Sequence, residues 1–336
     1  MDFLNALVAL TNFVIIPATA YGSQLALGAL GVTLIYGILR FSNFAHGDTM
    51  AFGAMVTILV TWAFQKMGVS IAPLPTALLA LPFGIAATAA LVIGTDRAVY
   101  RFYREKKAAP VTLVIVSMGV MFVMNGLVRF IIGVDDQRFG DGARFIISAR
   151  DFKEMTGLRE GLAIKTSAGL TIITAVIVVA ALFWFLNKTR TGKSMRAYSD
   201  NEDLALLSGI NPERVVMVTW LIVAALATIA GTLYGLDKSF KPFTYFQLLL
   251  PIFASAIVGG LGNPLGAIAG GFLIAYSEVA VTYAWKKVLT YSLPESFAPE
   301  GLAQLLSTDY KHAVSFVILI IVLLFKPTGL FKGKSV

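Results

Sequence analysis

Along most of this chain the hydrophobic positions do not alternate with polar ones; they run on for about twenty residues at a time. Residues 19–39, 44–64, 71–95, 110–132, 167–186, 215–236, 246–260, 265–284 and 309–325 are each predominantly apolar. A helix over any of them would be oily on every side rather than along one stripe, which suits a lipid surround and not a water-facing domain. Residues 3–18 are apolar too, broken by Asn12 and Pro17, and read either as an interfacial segment or as a short tenth span. The pattern predicts an all-α, polytopic transmembrane bundle of eight to ten spans, in a single domain covering residues 1–336.

Composition sharpens this without changing it. Hydrophobic residues make up 57% of the chain and charged ones 14%, so no polar stretch is left to build a second, soluble domain. Cys is absent, which removes disulfide and thiol chemistry. The first 39 residues hold no Lys or Arg; a secretory leader would carry a basic start, so this segment is read as mature sequence. The net charge of +8 is scattered between hydrophobic spans, a distribution that fits anionic lipid and a cytoplasmic partner better than nucleic acid.

Orientation follows from the density of bases in short connections. Residues 97–107 carry five Lys/Arg in 11 positions, and 326–336 carry three in 11. The long loop 133–166 dilutes six bases with six acids. The basic connections place 97–107, 187–214 and the C-terminus in the cytoplasm, and the loops 133–166 and 285–310 outside, where a partner has room to dock.

Three polar stretches carry candidate function. In the segment from Thr191 to Pro212, Ser199 and Glu202 fit the spacing of a capping box. A short helix with apolar Leu204, Ala205 and Leu207 should follow, closed by Gly209 in the left-handed conformation. Asn211 and Pro212 then cap and begin the next helix. Such a knob between two membrane helices reads as a docking element or as a structured linker. Thr191-Gly-Lys-Ser194 lacks the upstream glycine and the strand of a phosphate loop, so nucleotide binding is not expected here.

The run Gly259-Gly-Leu-Gly-Asn-Pro-Leu-Gly-Ala-Ile-Ala-Gly-Gly271 places Gly262, Gly266 and Gly270 four apart, a stripe that lets a second backbone approach. Asn263 and Pro264 start a helix there, making a hairpin with a tight turn. Between the first two spans, Asn43, His46 and Asp48 lie at the inner membrane edge or within it. They are transport residues or helix caps. Asn125 can bond across helices, whereas Glu278 and Arg129 stand near span ends, where long side chains reach water. With two His, His46 and His312, and no Cys, no metal cluster, cofactor site or catalytic constellation is expected.

The chain resembles the inner-membrane permease subunits of ABC importers for branched-chain amino acids. The likeness rests on Asn43-Phe-Ala-His-Gly-Asp48 with Phe52-Gly-Ala54; on Arg196-Ala197 through Ala205 to Gly209-Ile210-Asn211; and on Val258-Gly-Gly-Leu-Gly-Asn-Pro-Leu-Gly-Ala267 with Gly270-Gly271. It resembles the first of the two permease types. That resemblance implies a heterodimer with a second, homologous permease chain, two cytoplasmic ABC ATPase subunits and a periplasmic solute-binding protein, in the bacterial inner membrane. It implies that Arg196, Ala197, Asp200, Leu204, Ala205, Leu207 and Gly209, within the coupling loop 188–214, meet an ATPase. Asn43, His46, Asp48 and Asn125 would serve the pathway or its gating, and ATP hydrolysis would sit on the separate chains. Leu, Ile and Val are the expected cargo; urea, short amides and sugars are alternatives within the same superfamily. An ATP-independent secondary transporter and a membrane scaffold are the rivals outside it.

Overall fold

Inside lipid no water is present to bond a free N–H or C=O, so each crossing must satisfy its backbone internally. The computed structural model, which describes residues 2–292 and 301–331, answers with helices throughout. Among the described residues nine are long and apolar enough to cross a membrane. They are α1 (Asp2–Leu39), α2 (His46–Lys66), α3 (Ala77–Glu105), α4 (Pro110–Ile132), α6 (Thr166–Lys188), α9 (Pro212–Lys238), α10 (Pro242–Gly259), α11 (Pro264–Thr282) and α13 (Thr308–Phe325). Shorter pieces are α5 (Ala149–Thr156), α7 (Arg190–Asp200), α8 (Glu202–Leu207) and α12 (Lys286–Ser292). Strands β1 (Phe145–Ile147) and β2 (Ile164–Lys165) form one small antiparallel pair in the long loop. Residues 293–300 of the expected outer loop and 332–336 of the basic tail lie outside the described residues.

The N-terminal segment differs from both expectations for it. It neither lies apart nor crosses separately, but continues into the first span as one 38-residue helix. Asn12 and Pro17 do not break it, because the turn Thr11–Ile15 widens to π geometry just before the proline. A widened turn takes up the backbone mismatch that a missing N–H creates. The polar residues of this segment face protein: Asn5 Oδ1 accepts the Glu160 N–H at 3.1 Å and Asn12 Oδ1 accepts the Ala163 N–H at 3.1 Å. The third span begins at Ala77 rather than residue 71, after Pro73 and Pro75 have passed.

The core runs between α1, α2, α9, α10 and α11, while α13 lies at the rim with most of its surface open. Small residues set the helix spacing, since lipid supplies no hydrophobic drive between helices. A Cβ on Gly53 would strike Thr228, and one on Gly231 the backbone of Met50. Buried threonines bond back to their own helix or across, as Thr57 does to the Gly53 carbonyl at 2.8 Å and Thr228 to Thr88 at 3.0 Å.

The two ends of the bundle have separate memberships. At one end the Arg40 guanidinium donates to the Ser199 carbonyl at 2.6 Å, and Asn263 Nδ2 donates to the Phe331 carbonyl at 2.8 Å. There Arg104 pairs with Asp96 at 2.7 Å, and Trp220 Nε1 donates to the same carboxylate at 2.8 Å. At the other end Gln137 and Phe240 exchange backbone bonds of 2.8 Å, and Lys287 pairs with Glu160 at 2.7 Å. Thus 97–107, α7–α8 and the α10–α11 turn share one end, and the loops 133–166 and 285–292 share the other.

Candidate functional site

At the basic end, Thr189 opens α7 by accepting the Gly192 N–H at 3.0 Å. Thr191-Gly-Lys-Ser194 therefore lies in the first turn of a helix that follows a membrane span and not a strand, with the Gly192 amide on the Thr189 hydroxyl and the Lys193 amide on the Thr189 carbonyl at 3.1 Å. The capping box does not form. Ser199 remains in α7, Asn201 starts α8 by accepting the Leu204 N–H at 3.0 Å, and Glu202 instead accepts from the Tyr198 hydroxyl at 2.6 Å. The physical reason is position: Asn201 is already extended (φ −151) where the chain turns between the helices, so its short side chain reaches the free amides first.

The closing turn is as expected. Gly209 takes φ +79, and the Ile210 N–H returns to the Ala205 carbonyl at 3.1 Å. Asn211 accepts the Arg214 N–H at 3.2 Å with Pro212 in the first turn of α9.

Of the residues assigned to this element, Leu204 is 60% and Leu207 85% exposed, while Ala205 packs inward at 3% and offers nothing to a partner. Leu206, missed in the sequence, is exposed beside them; its place in the apolar run Leu204–Leu207 was the available signal. Ala197, Asp200 and Gly209 are exposed. Arg196 donates to Asn187 at 2.9 Å, and Arg196 and Asp200 line a cavity of about 360 Å³ reaching Gly37 and Asn263.

The hairpin stripe holds at two of its three positions. A Cβ on Gly266 would strike the Gly259 carbonyl, and one on Gly270 the Ser255 carbonyl. Gly262 belongs to the turn instead, with φ +82, because the helix starts only at Pro264.

The connection 40–45 turns back into the bundle after Arg40 (φ 57) ends α1. His46 is fully buried with its ring against Gly31, eight residues or about 12 Å of helical rise from the end of α1. Asn43 serves the turn, accepting the Ala45 N–H at 3.1 Å and the Tyr100 hydroxyl at 3.3 Å. Asp48 is 1% exposed; one oxygen accepts from Asn125 Nδ2 at 2.7 Å, and the other has no partner among the described residues. Asp48 and Asn125 share a recess of about 240 Å³ with Phe122, Arg129, Phe243 and Phe246.

Glu278 corrects the sequence reading. It does not reach water at a span end but is fully buried, bonded to the Ser315 hydroxyl and 3.7 Å from Lys311 Nζ. Lys311 in turn sits 3.8 Å from the centre of the Tyr21 ring. Glu278 follows Gly271 by seven residues, two helical turns along the face that packs on Ala26. That spacing was a legible sign of its inward direction.

Comparison with known proteins places these features in a family. Residues 14–323 match the family model described as branched-chain amino acid transport system / permease component. The high-affinity branched-chain amino acid transport system permease protein LivH of Escherichia coli (strain K12) is 31% identical over 324 residues, covering 94% of this chain and 93% of that protein. BraD of Pseudomonas aeruginosa, described in the same words, is 28% identical over 94% of each chain. A probable branched-chain amino acid transport permease protein LivM of Methanocaldococcus jannaschii is 27% identical over 49% of this chain and 46% of its own.

Proposed function

The chain belongs to the branched-chain amino acid permease family of ABC transport systems, and from that premise we propose that it is one of two permease chains in an ATP-driven importer of Leu, Ile and Val. It is a multi-pass inner-membrane transport subunit. Two ABC ATPases dock on the end that carries α7 and α8, and a second permease chain of the kind represented by LivM completes the pathway. A soluble periplasmic binding protein delivers cargo to the end that carries 133–166 and 285–292. The C-terminus is cytoplasmic, on the ATPase side.

The observation that carries this reading is α8. It is capped at both ends, held by Ala205, and presents Leu204 and Leu207 to the outside at an end rich in bases. Apolar residues exposed on an ordered helix at the water boundary fit a helix-in-groove contact. The mechanism follows from differential affinity. ATP draws two ATPases together, and the coupling helices they grip move with them. ATP shifts the permease from one packing to the other only because it binds one state more tightly.

Replacing Leu204 or Leu207 by Asp places a charge in that groove. Uptake by the reconstituted complex should fall at least tenfold, a cost of about 1.4 kcal/mol, with the permease still inserted and folded. Normal uptake in both variants at normal expression would reject the docking assignment.

A further inference from the structure

The recess at Asp48 has a chemistry that the family name does not supply. Three kinds of group converge on it from three helices: an acid and an amide bonded to one another, a guanidinium, and a wall of aromatic rings. Asp48 comes from α2, Asn125, Arg129 and Phe122 from α4, and Phe243 and Phe246 from the start of α10.

Depth makes these groups costly. The connection 40–45 has carried Asp48 well inside the bundle, and Asn125 stands seven residues, about 10 Å of rise, from the end of α4. A carboxylate at such depth normally faces a partner or a cavity. Asn125 holds one oxygen at 2.7 Å and fixes the carboxylate plane. The second oxygen is buried, has no partner among the described residues, and belongs to a residue lining the recess. Arg129 stacks loosely over Phe243, 6.0 Å from the ring centre, and is half-buried. Its guanidinium is suited to a carboxylate from outside the chain.

From this placement we infer that the recess is an amino-acid subsite of the translocation pathway, in which Asp48 receives the α-ammonium, Arg129 the α-carboxylate, and Phe122, Phe243 and Phe246 the apolar side chain of a zwitterionic amino acid. The inference rests on the importer reading and adds to it the residues that meet the cargo. A recess of about 240 Å³ is below the roughly 300 Å³ at which drug-sized pockets begin, so it suits one small molecule. The zwitterion brings two opposite charges to two opposite charges, and neither protein group is left unpaired in the apolar surround. Sugars and urea carry no such pair. Phe122 is 70% exposed in the single chain, with Val123 and Phe130 exposed along the same helix. The recess therefore opens on an apolar face, where the second permease chain of the importer would close it.

The test is equilibrium binding of tritiated L-leucine to the purified complex of this chain with its partner permease and ATPases, without the binding protein. Leucinamide, which lacks the carboxylate, and 4-methylpentanoate, which lacks the ammonium, serve as competitors. Each should compete at least about tenfold more weakly than leucine. Arg129→Gln should weaken leucine about tenfold and abolish the preference for leucine over leucinamide. Asp48→Asn should do the same for the preference over 4-methylpentanoate. Arg129→Lys, which keeps the charge, should retain the preference. A structural role would weaken binding without erasing one analogue's penalty selectively.

Wild-type affinity and selectivity in both neutral variants would overturn the subsite, as would equal competition by all three compounds at the wild-type recess. Uptake of radiolabelled leucine by the same complex in vesicles, with the leucine-loaded binding protein and ATP now supplied, distinguishes the subsite from the importer reading. Uptake without leucine binding sinks the subsite alone, and absence of energised amino-acid uptake sinks the importer reading beneath it.

Discussion

Glu278 is the residue whose surroundings say most about how this bundle tolerates charge. A carboxyl taken fully out of solvent needs compensation from fixed neighbours. Ser315 bonds one oxygen, Lys311 stands 3.7 Å from the other, and His312 approaches at 3.9 Å, all from α13. The rim helix with the least buried surface is thus tied to α11 by one polar cluster. Replacing Glu278 by Gln leaves Lys311 without its counter-charge. It should cost roughly 2 kcal/mol, less than the 3–5 of a fully buried pair because Lys311 keeps partial access to water. Lys311→Met strands the fully buried carboxylate instead and should cost more, about 3–5 kcal/mol, and the double variant clearly less than the sum, as melting of the purified protein in detergent would record. Strict additivity would mean that the two groups do not interact. At this scale the sequence was legible where a polar residue broke an apolar run, as Asp48 and Asn125 do. It was misleading at Glu278, because nearness to a span end says nothing about which way a side chain faces.

At the scale of elements, α12 is fastened to the N-terminal half of α1 through the long outer loop. Lys287 and the Tyr291 hydroxyl both hold Glu160, at 2.7 and 2.8 Å, and Phe13 stacks on Tyr283 with centres 6.3 Å apart. Burial alone would raise the Glu160 pKa, but the ammonium and the phenol outweigh it and hold it below the ordinary 4.5. A depressed acid stabilises the folded contact above its unfolded pKa and loses that stabilisation as pH falls through the folded value. Amide exchange in residues 286–292, corrected for the intrinsic rate, should therefore stay slow above about pH 4.5 and quicken below it. Glu160→Gln should quicken it at neutral pH. A pH-independent protection would remove Glu160 as the fastening. Caps such as Asn211, Asn263 and Gly209 were readable because their bonds are local. The joining of residues 2–18 to the first span was not, since a π turn that absorbs a proline leaves no periodic mark in an all-apolar segment.

The whole molecule is a polar-ended column, and its two ends do different work in the importer reading. One end gathers the bases of 97–107, the α10–α11 turn and the exposed leucines of α8; the other gathers the two long loops. A range of eight to ten spans, which brackets the nine long apolar helices among the described residues, and the shared membership of each end were legible in hydropathy and charge density, because a bilayer imposes both on the sequence directly. Helix faces were not, since a span oily on all sides hides which side meets protein and which meets lipid. The absence of Cys makes a single introduced thiol unambiguous. Placed at Leu207 and probed from both sides of the membrane, that thiol reports directly on which side α8 faces. Leu207→Cys should be silent to an impermeant maleimide in intact spheroplasts, react in inverted vesicles, and cross-link there to an ATPase subunit. Labelling from the periplasmic face in intact spheroplasts would put α8 beyond any ATPase and contradict the importer reading.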